Sequence, residues 1–175
     1  HRDLNEEESS LNALLPYVLK RGCKLCSDSE AISKYLENLY GAGVGVGVLK
    51  RGDDHILHVA FETISDKYAP NGEKLCDSVI ELMLSIMFES TSFSDEIVEQ
   101  EKKNAKDRIM AMMNDKRQYA VERCIETMFE GENYAISKLG TQEGIDKITA
   151  DNLKKHYENI ITSSVIDIYI CGDAD

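Results

Sequence analysis

The sequence predicts an α+β fold, with an antiparallel-rich β-sheet covered by helices mainly on one face. Three observations carry this. Apolar residues recur at helical spacing through most of the chain. One stretch, 43–48, switches to period two. Strands and helices do not alternate in the regular order that a doubly wound parallel sheet requires.

The first helix starts at Asn5, a short acceptor followed by Glu6, Glu7 and Glu8, whose charges suit the positive end of the helix dipole. Leu11, Leu14, Leu15, Val18 and Leu19 form its stripe, Pro16 is expected to kink it, and Gly22 closes it. Ser27 or Ser29 opens a second helix with Ile32, Tyr35, Leu36 and Leu39, ended by Gly41. Gly43, Gly45 and Gly47 then alternate with Val44, Val46 and Val48, a strand with one valine face and one bare face. Turn chemistry at Arg51, Gly52, Asp53 and Asp54 and an apolar return from His55 to Ile64 make 42–64 a β-hairpin. Pro70, Asn71 and Gly72 mark a turn before an apolar helix from Leu75 to Met87. Ser94 caps a long helix striped by Ile97, Val98, Ala105, Ile109 and Met112, which breaks near Asn114 and Asp115 and resumes to about Phe129. Thr149 begins a last helix, and residues 164–171 read as a strand ending at Gly172.

The chain has 175 residues, enough to bury its own core as a single domain over 1–175 or one lobe of a larger protein. Its 32 acids against 20 bases give a net charge of −12, a surface that repels phosphate and so argues against nucleic acid as a partner. No apolar run approaches the ~20 residues of a bilayer span, and no leader opens the chain. Five cysteines, an odd count set within helix and strand patterns, suit free thiols in a reducing compartment, and the cytoplasm is the expected location.

From the residues alone no catalytic constellation emerges. The glycines at 41–47 lack the third glycine of a dinucleotide fingerprint and follow a helix instead of a strand. A bare strand face instead lets another backbone approach, either in structural packing or as an extended peptide docked along Gly43, Val44, Gly45 and Val46. Cys23 and Cys26 form a lone C-x-x-C with no second pair to complete a zinc site. His55 and His58, three apart in a strand, point to opposite faces and cannot share a metal, and His156 is placed alone on a surface helix.

Five segments, in order, resemble the pitrilysin/insulinase family of zinc metallopeptidases, in its mitochondrial-processing-peptidase-like branch. L-N-A-L-L-P-Y-V-L-K-R-G-C at 11–23 is similar to that family's H-F-L-E-H-M-L-F-K-G-T helix, and L-Y-G-A-G-V-G-V-G-V to its L-G-A-x-x-N-A-x-T strand. F-S-D-E-I-V-E-Q-E-K-K-N-A-K-D-R-I at 93–109 resembles the helix that carries its third metal ligand. The run at 134–157 is similar to its Y-x-x-x-x-x-G-x-x-x-x-I-x-x-I-T-x-x-x-L-x-x-x-Y, and V-I-D-I-Y-I-C-G-D to the strand that closes one lobe.

The departures govern the function this resemblance implies. The inverted zinc motif places two histidines four apart on one helix face and a glutamate just before the second, for zinc and for activating water. Here the histidine positions are Ala13 and Tyr17 and the glutamate position is Pro16. Alanine has no lone pair, a phenol keeps its proton at neutral pH, and proline is no base. The third ligand, seven residues after a glutamate matched by Glu101, falls on Arg108, or on Asp107 in a slipped register. A guanidinium repels a cation. Residues 101, 105, 108 and 112 share a helix face, so Arg108 is expected to point inward and pair with Glu101.

The expectation is therefore a non-catalytic metallopeptidase-like lobe without cofactor or metal. Its expected partners are a homologous subunit with an intact zinc motif, or its own second lobe, and an extended peptide. The alternatives are a zinc peptidase completed by residues outside this segment and a plain scaffold or interaction domain. The family's opening strands and second lobe are expected to lie outside these 175 residues.

Overall fold

The Asn5 carboxamide starts the first helix as expected, accepting the Glu8 amide at 2.8 Å. The resulting α1 (Glu6–Leu19) runs through Pro16, whose missing N–H leaves the Asn12 carbonyl without its usual helical donor. The computed structural model describes residues 1–70 and 72–172, so the expected turn at Asn71 lies partly outside the described residues. The chain divides into two compact units, one of His1–Val18, Gly47–His58 and Phe93–Val165, the other of Leu19–Val46, Val59–Ser92 and the residues from Ile166.

In the first unit, α4 (Asp95–Asn114) is capped by Ser94, whose hydroxyl accepts the Ile97 amide, and it buries Val98, Glu101, Lys102, Ala105 and Ile109 along one stripe. Asp115 ends α4 and starts α5 (Lys116–Met128), accepting the Arg117 and Gln118 amides at 3.1 Å each. Thr149 and Asn152 form a capping box on α7 (Ala150–Ser163). A short α6 (Gln142–Asp146) was not foreseen. Lys102 donates to the carbonyls of Asp146 and Ile148 at its C-terminal end, at 3.2 and 2.9 Å. Leu4, Leu14, Leu15, Val98, Ile145 and Leu153 are closed to solvent, each contributing about 1.5–3 kcal/mol of burial.

In the second unit, α2 (Ser29–Asn38) is capped by Asp28 and not by either serine; its carboxylate accepts the Ala31 amide at 2.9 Å and is itself bonded by the Ser27 hydroxyl. Burial of Ile32 and Leu36 on α2 and of Leu75, Val79, Leu82 and Ile86 on α3 (Leu75–Phe88) makes the core. The apolar helix expected here, read as buried throughout, is buried on one side only, with Leu84 and Phe88 exposed.

The sheet has three strands, β1 (Arg2–Asp3), β2 (Gly43–Arg51) and β3 (Asp54–Glu62), in the order β1-β3-β2. β1 pairs antiparallel with β3, Arg2 opposite His55. The hairpin of β2 and β3 is the one the period-two stretch predicts, and Gly52 takes the left-handed conformation (φ 56°) that its tight turn needs. The α+β, antiparallel reading therefore holds.

The strand expected at 164–171 does not form. Val165, Ile168, Tyr169 and Ile170 are exposed after α7. Alternating β-branched residues supply strand propensity, but a strand needs a neighbouring backbone to bond. No helix of the described residues is long and apolar enough to cross a membrane.

Candidate functional site

α1 and α4, both in the first unit, carry the positions singled out in the sequence. Ala13 and Tyr17 are one helical turn apart on α1, Ala13 buried and Tyr17 half-buried, with Pro16 buried between them. On α4, Glu101 and Arg108 are two turns apart, with buried Ala105 between them. The fold brings Tyr17 and Arg108 together, the guanidinium carbon lying 3.6 Å from the centre of the Tyr17 ring. Arg108 Nη1 is 3.9 Å from a carboxylate oxygen of Glu101, an ion pair too long for a hydrogen bond. Glu101 is only 2% exposed, and its other oxygen accepts from Asn104 Nδ2 at 3.1 Å. Arg108 Nη2 is buried and has no hydrogen-bond partner among the described residues. The expected inward pairing of Arg108 with Glu101 is met, and Asp107 of the slipped register is exposed.

A second buried polar group lies in the same unit and was not foreseen. His55 on β3 directs Nε2 at the carbonyl of Lys138, 3.0 Å away, so that nitrogen carries the proton and donates it. Its Nδ1 then accepts from Asn12 Nδ2 at 3.3 Å, and Asn12 Oδ1 accepts from His156 Nε2 at 2.8 Å. Burial pushes the His55 pKa down to about 4, partly opposed by the bond to Lys138. Burial also lowers that of His156, against the pull of Glu8. α7 does expose one face, but His156 is 8% exposed on its buried face and bonded to Asn12, so it is not alone as expected. Its spacing from Leu153 and Tyr157 puts it on the apolar stripe of α7, a signal that was available in the sequence.

The other candidates are dispersed. Gly43, Val44, Gly45 and Val46 lie on β2 at the margin of the sheet, and an added Cβ at Gly43 or Gly45 would meet no atom within 4 Å. The bare face is filled at Gly47, where such a Cβ would lie 3.0 Å from the His58 ring. The Val44 carbonyl accepts from Lys20 Nζ at 2.9 Å. Cys23 and Cys26 are buried free thiols. Desolvation first, and Cys23 next, push the Cys26 pKa up, the reverse of a reactive thiolate.

Over 98% of its length the chain is 32% identical to the "Probable inactive metalloprotease YmfF" of Bacillus subtilis (strain 168), of which it spans 41%. The crystal structure of a "peptidase M16 inactive domain" from Pseudomonas fluorescens shares its fold, with a TM-score of 0.65 at 16% identity over 87% of this chain and 35% of that one. The chain is a sequence relative of the Bacillus subtilis protein and has the fold of the M16 domain. The chain also superposes on a conserved protein from Enterococcus faecalis V583, with a TM-score of 0.81 at 24% identity over 90% of this chain and 38% of the other. The periplasmic protease PqqL from Escherichia coli gives a TM-score of 0.67 at 12% identity, over 89% of this chain and 16% of PqqL. No protein-family profile matches the chain.

The zinc of active pitrilysin-like enzymes does not fit the residues here. It would meet a methyl group at Ala13, a phenol at Tyr17 and a guanidinium at Arg108 in place of three electron-pair donors. Among the described residues no group of three or more histidines, cysteines or acids is arranged to hold a metal.

Proposed function

We propose that this non-catalytic lobe handles peptides for another domain. It holds an extended segment along the free side of β2 at Gly43, Val44, Gly45 and Val46, and works beside a homologous subunit or lobe with an intact H-x-x-E-H helix. The observation that supports this reading is the place of β2 at the end of the strand order, an edge that a peptide backbone can join as a further strand. Pull-down of the full-length protein from its native source tests the partner; recovery of a homologue bearing H-x-x-E-H is the expected result. Recovery of no peptidase-like partner favours the scaffold reading.

The scaffold reading draws on one observation, that Lys20 already occupies the Val44 carbonyl. A lysine laid on a strand edge is a device that discourages further strand addition. Lys20→Met decides between the two. It frees one acceptor worth about 1 kcal/mol, so affinity for an extended peptide measured by fluorescence anisotropy should rise about fivefold. If neither protein binds at millimolar peptide, the edge is closed and β2 is no binding strand.

A further inference from the structure

A carboxylate as deeply buried as that of Glu101 requires positive charge nearby, because desolvation penalises the ionised form. Arg108 supplies it from two turns along the same helix. The guanidinium is held less by hydrogen bonds than by charge and by the face of an aromatic ring. Its Nη2 is buried without a partner, its Nη1 stands 3.9 Å from Glu101, and its carbon lies 3.6 Å from the centre of the Tyr17 ring. Tyr17 belongs to α1 and Glu101 to α4, so one cation joins the two helices.

We propose that Arg108 is a tethered cation that takes over the electrostatic work of a bound divalent ion. It neutralises Glu101, fastens α4 to α1 through Tyr17, and closes to metal the place that Ala13, Tyr17 and position 108 surround. The inference rests on the correspondence of those three positions to the metal-ligand positions of active relatives, and it is independent of whether β2 holds peptide.

Thermal unfolding of the 175-residue chain tests the clamp. Arg108→Met should lower Tm by about 5 °C, and adding Glu101→Gln should win back part of that loss, since the carboxylate then no longer needs a counter-charge. Tyr17→Leu should cost little once Arg108 is gone. Strictly additive losses in both pairs would overturn the proposal. Zinc titration by calorimetry tests the place. Ala13→His with Tyr17→His should take up no zinc while Arg108 remains, and adding Arg108→Glu should yield uptake of one ion per chain at least 100-fold tighter. Equal uptake with Arg108 present, or none in either variant, would show that the guanidinium does not stand where an ion belongs.

Discussion

Asn12→Leu is expected to destabilise the protein by about 3 kcal/mol, because it strands two buried imidazole nitrogens at once. The side chains share their branching and number of heavy atoms, but the leucine methyl groups are larger, so the loss combines broken hydrogen bonds with some overpacking. His55 Nδ1 loses its donor and His156 Nε2 its acceptor, and neither residue has water to turn to, at 0% and 8% exposure. Urea denaturation at pH 7.5 measures the change; a loss below about 1 kcal/mol would mean that both rings find new partners. The same group makes stability depend on acid. The unfolded imidazole titrates near 6.5 and the folded His55 near 4, so between these values the unfolded chain binds a proton that the native chain refuses. The contribution of neutral His55 is therefore complete above about pH 7 and drains away as pH falls from about 6.5 to about 4, at most about 3 kcal/mol in all. His156, lowered too, acts in the same direction. Protonated His55 would point a new N–H at Asn12 Nδ2, so the carboxamide would have to turn over, and His156 would have to move its proton off Nε2 to accept from the flipped amide. A His55→Gln variant should show a markedly flatter loss of stability between pH 7 and pH 5; an unchanged slope would assign the acid sensitivity elsewhere.

Gly140→Ala should cost as much or more. Gly140 has φ 68°, a conformation that costs an L-residue about 1–2 kcal/mol, and an added Cβ would come within 2.6 Å of the Ser10 Cα. Ser10 is on α1, 4% exposed, and its hydroxyl accepts the Thr141 amide at 3.2 Å, so the cap of α6 is built against it. Because the obstacle is backbone and not the tip of a flexible side chain, the loop 137–141 must move, and a total loss of about 3–4 kcal/mol is expected. Chemical denaturation checks this. Ser10→Gly in the same chain should recover only part, since the Cα remains; full recovery would place the strain in the serine side chain alone.

What the sequence revealed and what it hid divide along physical lines. Ser94 before α4, Asp115 between α4 and α5, Thr149 before α7 and the valine–glycine alternation of β2 are local signals, in which cause and effect lie within a few residues. The pairing of Glu101 with Arg108 was legible for the same reason, because helix periodicity alone puts them on one face. That Arg108 would rest on Tyr17 was not legible, since the two lie on different helices far apart in the chain. The Asn12, His55 and His156 group was hidden likewise, as it draws on α1, β3 and α7. Residues 164–171 show the converse error, strand-like in composition but without the neighbouring backbone that would make them one. Asp28 was passed over for adjacent serines because all three can cap, and only the geometry of the Ala31 amide chooses among them.

Placing a guanidinium against Tyr17 has a consequence for how such a chain evolves. On the inference above, Arg108→Glu alone would set a second acid beside Glu101, and a histidine at Ala13 alone would overfill a site only 4% exposed. Each first step back toward chemistry lowers stability before any catalysis can reward it. The substitution acts as a ratchet: once the arginine has been recruited to hold the helices, single mutations lead only downhill, and the way back to a metal site is closed.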